Sequence, residues 1–276
     1  MTGCSVAGNL GCGYGHVPGA ILFGGAFGVR PSPLNLEGWW RLDDTGDPAT
    51  WKDSQNDQFP LTKSGTVTSV AVGHVGGSAA FTVAGSGHLL NSSFSDIFHK
   101  FDFTVGGWWK IDDATTNPTM ISQYGGTLGV QHWRVYRGGS PFLLNFLIKN
   151  NAGTNFIAQS DVGFPGAQPW VFIVGVRQAN LMTLYIDGLP QATTATVSGT
   201  LNQQPQPLWI GRGQSTYANQ EVDEAFIWTK ALTPQNILWL WNGGAGRTHN
   251  ELYPGALLDT NDNVLFDTSG NALYPT

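Results

Sequence analysis

The chain predicts an all-β protein: a two-sheet antiparallel jelly-roll sandwich with one short carboxy-terminal helix and extended segments at both ends. Short apolar runs alternate with polar residues and are broken at close intervals by Gly, Asn and Pro. The 276 residues include 37 Gly, 15 Pro and 11 Trp, with only 12% charged residues, against about 25% in an ordinary globular protein. Such a composition suits a large aromatic core. A single helical pattern occurs, and it follows the last strand.

Residues 1–33 form an arm of Gly, Ala and small apolar residues closing on the RPSP sequence at 30–33. An arm so poor in core formers cannot order itself, so a second protein or another copy of the chain is expected to hold it, with packing back on its own domain as the alternative. The sandwich is expected over 34–243, with strands at 37–42, 65–72, 78–83, 101–111, 119–124, 133–137, 143–149, 170–177, 182–187, 208–212 and 221–228. The stretch WVFIVGV at 170–176 is apolar on both faces and reads as a central, buried strand. In LMTLYIDGLPQ at 181–191, Met182, Leu184 and Ile186 alternate with Thr183, Tyr185 and Asp187 before an Asp-Gly turn, the pattern of a half-buried strand entering a hairpin.

An echo links GWWRLDD at 38–44 to GWWKIDD at 107–113. It is isolated, so it reads as two strands in similar sheet environments and not as a repeat array. In each, the first Trp and the basic residue share one face while the glycine and second Trp share the other. One indole of each pair is expected in the core and the other outside. The helix is punctuated by Thr233 as its cap, Pro234 in its first turn and Gly243 at its close. Residues 244–276 form a tail with a small hairpin near 269–271, expected to dock on something. Its DTNDN sequence lacks the Gly and the acid of a calcium loop, since Val264 and Gly270 stand at those positions.

YIDG at 185–188, PLWIG at 207–211, VDEAFIWTKALT at 222–233 and an apolar helix ending in NGG occur in that order. With FTVGGWWKIDD at 103–113 and LEGWWRLDD at 36–44, they make about two thirds of the chain resemble a laminin-G-like domain of the concanavalin A-like lectin/glucanase superfamily, of the kind found in phage structural proteins. The resemblance implies the sandwich; its members include lectins, adhesion modules, hydrolases and inert spacers, so function rests on the site. It also implies a candidate calcium ligand at Asp223, because in this family an aspartate opening the last long strand often joins backbone carbonyls of the first strand around a structural calcium. The paired acids of pentraxin-like members are absent from FTVAGSGHLL at 81–90.

A formal net charge of −6 without a Lys/Arg cluster excludes a nucleic-acid partner, and no apolar run reaches the roughly 18 residues of a membrane span. The first residues lack basic side chains and the apolar stretch at 21–29 is glycine-broken and far in, so no secretion signal is expected. Cys4 and Cys12, the only cysteines, bridge, bind metal weakly or stay free; the spacing favours free thiols. EVDEAF at 221–226 begins like the carboxylate pattern of retaining glycosidases, but Ala225 and Phe226 stand where the second glutamate belongs. No catalytic residue is assigned.

Sugar recognition needs aromatic platforms bordered by polar groups. QHWRVYRGG at 131–139 places His132, Arg134 and Tyr136 on one strand face, with Trp133 and Val135 on the other. Trp39 and Trp108 are further candidates. Arm, tail, adhesion-type fold and scarcity of chemistry together predict a non-enzymatic structural protein of a virion, decorating capsid or tail and meeting other virion proteins, copies of itself or surface glycans. The alternative is a free extracellular carbohydrate-binding lectin; a glycoside hydrolase ranks last.

Overall fold

The computed structural model describes residues 28–94, 101–112, 117–124, 132–201, 206–213, 216–259 and 263–275, without the side chain of His132. The strands run in chain order as β1 (Leu36–Trp40), β2 (Thr50–Trp51), β3 (Leu61–Ser64), β4 (Val67–Val70), β5 (Ser78–Phe81) and β6 (His88–Asn91). They continue with β7 (Phe103–Ile111), β8 (Thr119–Tyr124), β9 (His132–Arg137), β10 (Leu143–Lys149), β11 (Asn155–Gly163) and β12 (Gln168–Gln178). The last are β13 (Leu181–Ile186), β14 (Leu189–Pro190), β15 (Ala195–Thr196), β16 (Leu208–Ile210) and β17 (Gln220–Trp228), followed by helix α1 (Pro234–Trp241).

Two antiparallel sheets result. The nine-stranded sheet runs β14-β13-β12-β7-β17-β5-β4, with β1 on β17 and β15 on β13; the eight-stranded sheet runs β11-β10-β9-β8-β16-β6-β3-β2. The expected strands are present, and β12 lies between β7 and β13 with Val171–Arg177 buried. Strand β11, NFIAQSDVG, was not expected. Its inward residues include Ala158 and Ser160, too small and polar to give an apolar alternation.

Strand alternation builds two cores. Trp40, Trp109, Ile173, Leu184, Val222 and Ile227 of the nine-stranded sheet meet Leu61, Leu89, Ile121, Trp133, Val135, Phe146 and Ile210 of the other. On the opposite face of the nine-stranded sheet, Trp39, Trp108, Phe172, Phe226 and Trp228 pack beneath Ile237 and Leu240 of α1 and Leu252, Tyr253 and Val264 of the tail. Trp39, Trp40, Trp108 and Trp109 are all within 2% of full burial. The expectation of one exposed indole per pair is therefore corrected. A second layer closes the outer face, and tandem Trp feeds both cores.

Helix α1 carries the expected cap: Thr233 Oγ1 accepts the Asn236 N–H and the Asn236 side chain accepts the Thr233 N–H. It closes on Asn242, whose φ of 52° is left-handed, one residue before Gly243. Residues 28–33 dock beside it, with the Val29 N–H donating to Gln235 O at 3.0 Å. The rest of the expected arm, 1–27 with Cys4 and Cys12, lies outside the described residues.

The tail docks on its own domain. It repeats an eight-residue unit, LLDTNDNV at 257–264 and LFDTSGNA at 265–272, in which Asp259 and Asp267 accept the N–H of Asn263 and Asn271, each at 2.9 Å. Leu257 donates to Leu273 O at 2.8 Å, Leu273 to Leu265 O at 2.8 Å, and Leu265 to Leu257 O at 2.9 Å, closing a ring. The expected hairpin is the Phe266–Ala272 bridge within it.

Candidate functional site

Two constellations stand out. The first lies on the outer face of the eight-stranded sheet. In β9, HWRVYR, Trp133 and Val135 are fully buried between the sheets, so strand alternation turns Arg134 and Tyr136 outward. The Arg134 guanidinium lies over the Tyr136 ring at 3.8 Å and the Tyr124 ring at 4.4 Å. These are cation–π distances, and the stacking holds the guanidinium flat. Burial raises the Tyr136 hydroxyl above its ordinary pKa, against the Arg134 charge, which pulls it down.

Ser122 faces Arg134 across one strand pair and Trp209 across the other. Trp209 lies outward because Leu208 and Ile210 bury inward. Arg212 stands over the Trp209 ring at 4.9 Å and the Tyr217 ring at 5.4 Å. Its Nη1 meets His88 Nε2 at 3.2 Å, while His88 Nδ1 meets Ser86 O at 3.0 Å. Those partners assign the Nδ1–H tautomer, and burial, then the neighbouring Arg212 charge, lowers the His88 pKa. Gly213 joins the stacks: a Cβ there would sit 3.6 Å from Arg134 Nη1.

The face has a floor of buried Ser122, Asn145 and Leu147, with half-buried Tyr124, Arg134, Tyr136, Trp209, Arg212 and Tyr217 standing on it. Such a surface offers aromatic rings and fixed N–H donors side by side. The sequence had marked Arg134 and Tyr136. The side chain of His132 lies outside the described residues. Tyr124, Trp209, Arg212 and Tyr217 were missed, although Trp209 between two inward aliphatics was a visible signal.

The second constellation is inside the nine-stranded sheet. Strand β17 pairs with β5 through Gln220–Val222 and with β1 through Ala225–Trp228. Asp223 and Glu224 sit where it changes partner, at a bulge. Glu224 takes a left-handed φ of 48°, a conformation costing about 1 kcal/mol or more for a residue with a side chain. Gly106 and Gly107 oppose the bulge; a Cβ on Gly107 would lie 2.9 Å from Glu224 O. The bulge lets Phe226 return to the outer core while Ala225 faces the inner one.

Both carboxylates are buried, at 0% and 1% exposure. Asp223 Oδ2 accepts the His74 and Val75 N–H groups at 2.9 and 2.7 Å, and Glu224 Oε2 accepts the Trp39 indole N–H. Asp223 Oδ1 and Glu224 Oε1 have no hydrogen-bond partner among the described residues. Burial pushes the Asp223 pKa up to about 8, and burial with the Asp223 charge raises that of Glu224 well above its ordinary value. The loop at His74 covers Asp223, and the Trp39 indole covers Glu224.

Trp39 is thus a hydrogen-bond donor inside the outer core, and Trp108 stacks on His74 at 3.5 Å between ring centres. Neither indole presents a face to solvent for a sugar to stack on, which corrects their candidacy. The two orphaned oxygens suit a proton or a cation. Calcium takes about 6–8 oxygens, and among the described residues no group of three His, Cys, Asp or Glu side chains is placed to hold a metal. Asp223 and Glu224 would supply the carboxylate part of such a shell.

With sandwich, bulge and outer face in place, residues 64–238 match the family described as the concanavalin A-like lectin/glucanases superfamily. The chain belongs to this superfamily. No curated protein matches it by sequence. Among solved structures, domain 4 of AbnA, an extracellular GH43 arabinanase of Geobacillus stearothermophilus in complex with arabinotriose, is similar with TM-score 0.59 and 16% identity, covering 77% of this chain and 98% of that one. The binding domain of Paraclostridial Mosquitocidal Protein 1 is similar with TM-score 0.60 and 15% identity over 85% of this chain. The binding domain of botulinum neurotoxin serotype D/C has TM-score 0.56 and 15% identity over 87%. This chain spans just over half of the last two, 56% of each. At such identities the likeness shows the superfamily sandwich alone. No helix among the described residues is long and apolar enough to cross a membrane.

Proposed function

We propose that the protein is a non-enzymatic carbohydrate-binding module of the lectin type, acting through the outer face of its eight-stranded sheet where glycans are displayed outside cells. The observation that carries this reading is the pair of arginine–aromatic stacks, Tyr124–Arg134–Tyr136 and Trp209–Arg212–Tyr217, adjoining across Ser122. Sugar rings stack their C–H faces on indoles and phenols while fixed donors hold their hydroxyls. Solved structures of similar fold include a domain bound to arabinotriose and toxin binding domains, which supports binding as the common use of this sandwich.

Of the carboxylates in EVDEAF that begin the hydrolase pattern, Glu221 is paired with Lys110 and Ser78, and Asp223 is buried and engaged by backbone N–H groups. A virion role rested on an arm and tail held by neighbours. The tail instead packs on its own sheet, and no solved structure named above is a virion protein, so the free lectin is the better supported of the two. Glycan-array binding by the whole chain, followed by titration of the hits, tests the proposal. Binding lost on Trp209→Ala at unchanged thermal stability is the expected result; absence of any glycan ligand overturns it.

A further inference from the structure

Helix α1 is apolar on more sides than its sheet requires. In PQNILWLW, Ile237 and Leu240 are buried in the outer core, while Leu238, Trp239 and Trp241 stand half-buried on the flanks. A helix at a protein surface ordinarily turns charged or polar residues outward, and one that is apolar all round is covered. α1 carries no charged residue. Part of its flank is occupied: the Arg247 guanidinium lies over the Trp239 ring at 4.7 Å, and a Cβ on Gly188 would lie 3.1 Å from Trp241 and 3.3 Å from Leu238. What is left is a groove of about 430 Å³ along Leu238, Trp239, Trp241 and Arg247, with Gly28 at its edge.

The chain itself leads into this groove. Ser32 O accepts the Trp228 indole N–H and Lys230 Nζ at 3.3 and 2.8 Å. The Val29 N–H donates to Gln235 O at 3.0 Å, and Val29 O accepts from Asn236 Nδ2 at 2.8 Å. A Cβ on Gly28 would lie 2.2 Å from the Trp239 backbone N, an approach that only glycine permits. Followed backward, residues 32, 29 and 28 therefore pass 228–230, 235–236 and 239 in turn, toward the carboxy-terminal end of α1. Immediately before Gly28 stands ILFGGAF at 21–27, apolar or glycine throughout and without a charge. Seven extended residues span about 23 Å, roughly twice the 12 Å length of an eight-residue helix. Reach and chemistry both suit the groove.

We infer that the outer flank of α1 is a docking groove for residues 21–27 of the same chain, with Phe27, next to Gly28, set against Trp239. The apolar flank and the apolar segment then account for each other. On this inference the arm is anchored within its own domain, and no second subunit is needed to hold its last turn of chain.

The test replaces Phe27, and separately Phe23, of the full-length chain with the photo-crosslinker benzoylphenylalanine. Irradiation is expected to join each to the peptide carrying residues 234–247 within one chain, at a yield unchanged by dilution. Links between two chains that fade on dilution would give the groove to a second copy and overturn the inference, as would links to another part of the domain or none. A second measurement needs no crosslinker. Phe27→Ala and Trp239→Ala should each lower the melting temperature by about 5 °C, and the double variant should fall by clearly less than the sum, because both changes remove one contact. Additive shifts would separate the two side chains and overturn the pairing.

Discussion

The two sheets of this sandwich each have an outer face, and the chain treats them in opposite ways. That of the nine-stranded sheet carries Trp39, Trp108, Phe172, Phe226 and Trp228 and is sealed by α1 and the tail. That of the eight-stranded sheet carries Arg134, Tyr136, Trp209 and Arg212, half-buried, with no described helix or tail segment in its layer. Both are rich in aromatic rings, so aromatic content alone does not distinguish a binding platform from a core. What distinguishes them is the partner of each ring. On the sealed face rings meet rings, as Trp39 meets Phe226 at 5.2 Å and Trp228 at 5.8 Å. On the other face rings meet guanidinium groups.

The largest expected effect belongs to the sealed face. Trp39→Ala removes an indole 1% exposed and strips Glu224 of its only donor among the described residues. Destabilisation of about 3–5 kcal/mol follows from the cavity, with more from the uncompensated acid, measured by chemical unfolding. A loss below about 1 kcal/mol, the scale of a surface change, would mean that the helix-and-tail layer is not a true core and would break the comparison.

The sequence disclosed the sandwich through its alternations and disclosed the helix through Thr233, Pro234 and the residues closing it. It hid the second core. The stretch 170–176 was read as buried on both faces because its apolar run is continuous, and the same logic applied to GWW at 38–40 and 107–109 would have placed both indoles inside. Isolated strands do not tell whether a later segment covers them, and the covering residues lie some two hundred positions further on in the case of Trp39, at Leu240, Leu252 and Tyr253. Strand β11 was hidden for the opposite reason, since Ala158 and Ser160 need no apolar signal to face a core already filled by Phe146 and its neighbours. The sugar-facing reading of Arg134 and Tyr136 followed from alternation within one strand. Trp209 and Arg212 needed the register of β16 on β8, which pairing alone supplies.

A smaller effect is expected inside the sealed sheet at the bulge. A Cβ on Gly107 would lie 2.7 Å from Met120 Cε and 2.9 Å from the backbone of Ala225 and Glu224. Gly107→Ala should cost about 1–3 kcal/mol as overpacking, and it should do so by displacing Glu224. Loss of the Trp39–Glu224 contact, seen as a shifted indole N–H resonance, would accompany it. An unshifted resonance with the same cost would place the strain at Met120 instead.

The acid pair adds a pH dependence of its own to the sealed sheet. Asp223, raised from 3.8 to about 8, and Asp53, raised to about 7 by burial, hold protons more tightly folded than unfolded. Their stabilisation is present in full below about pH 4 and is lost as pH rises through 7 and 8. His249, lowered from 6.5 to about 3 by burial, acts in the other sense, and its contribution is lost as pH falls below 6.5. Between pH 6.5 and 8.5 the acids therefore act without it, and the melting temperature should fall across that window. Glu224→Gln should flatten the slope. Calcium, as the alternative occupant of Asp223 Oδ1 and Glu224 Oε1, should raise melting more at pH 8 than at pH 6, where a proton competes for the same oxygens; an equal rise at both values would place any bound calcium elsewhere.

The smallest effect should come from the face assigned to binding. Arg134→Ala removes two cation–π contacts at a half-buried position, at 3.8 and 4.4 Å, which together amount to about 1 kcal/mol or slightly more. That is several-fold below the expected cost at Trp39, although both side chains stand on outer faces among aromatic rings. Among the described residues Arg134 makes no ion pair, so the small structural return of its stack fits a guanidinium kept for the binding face. Arg134→Ala costing as much as Trp39→Ala would give it a structural use instead, and the arginine stack would then be a third patch of core.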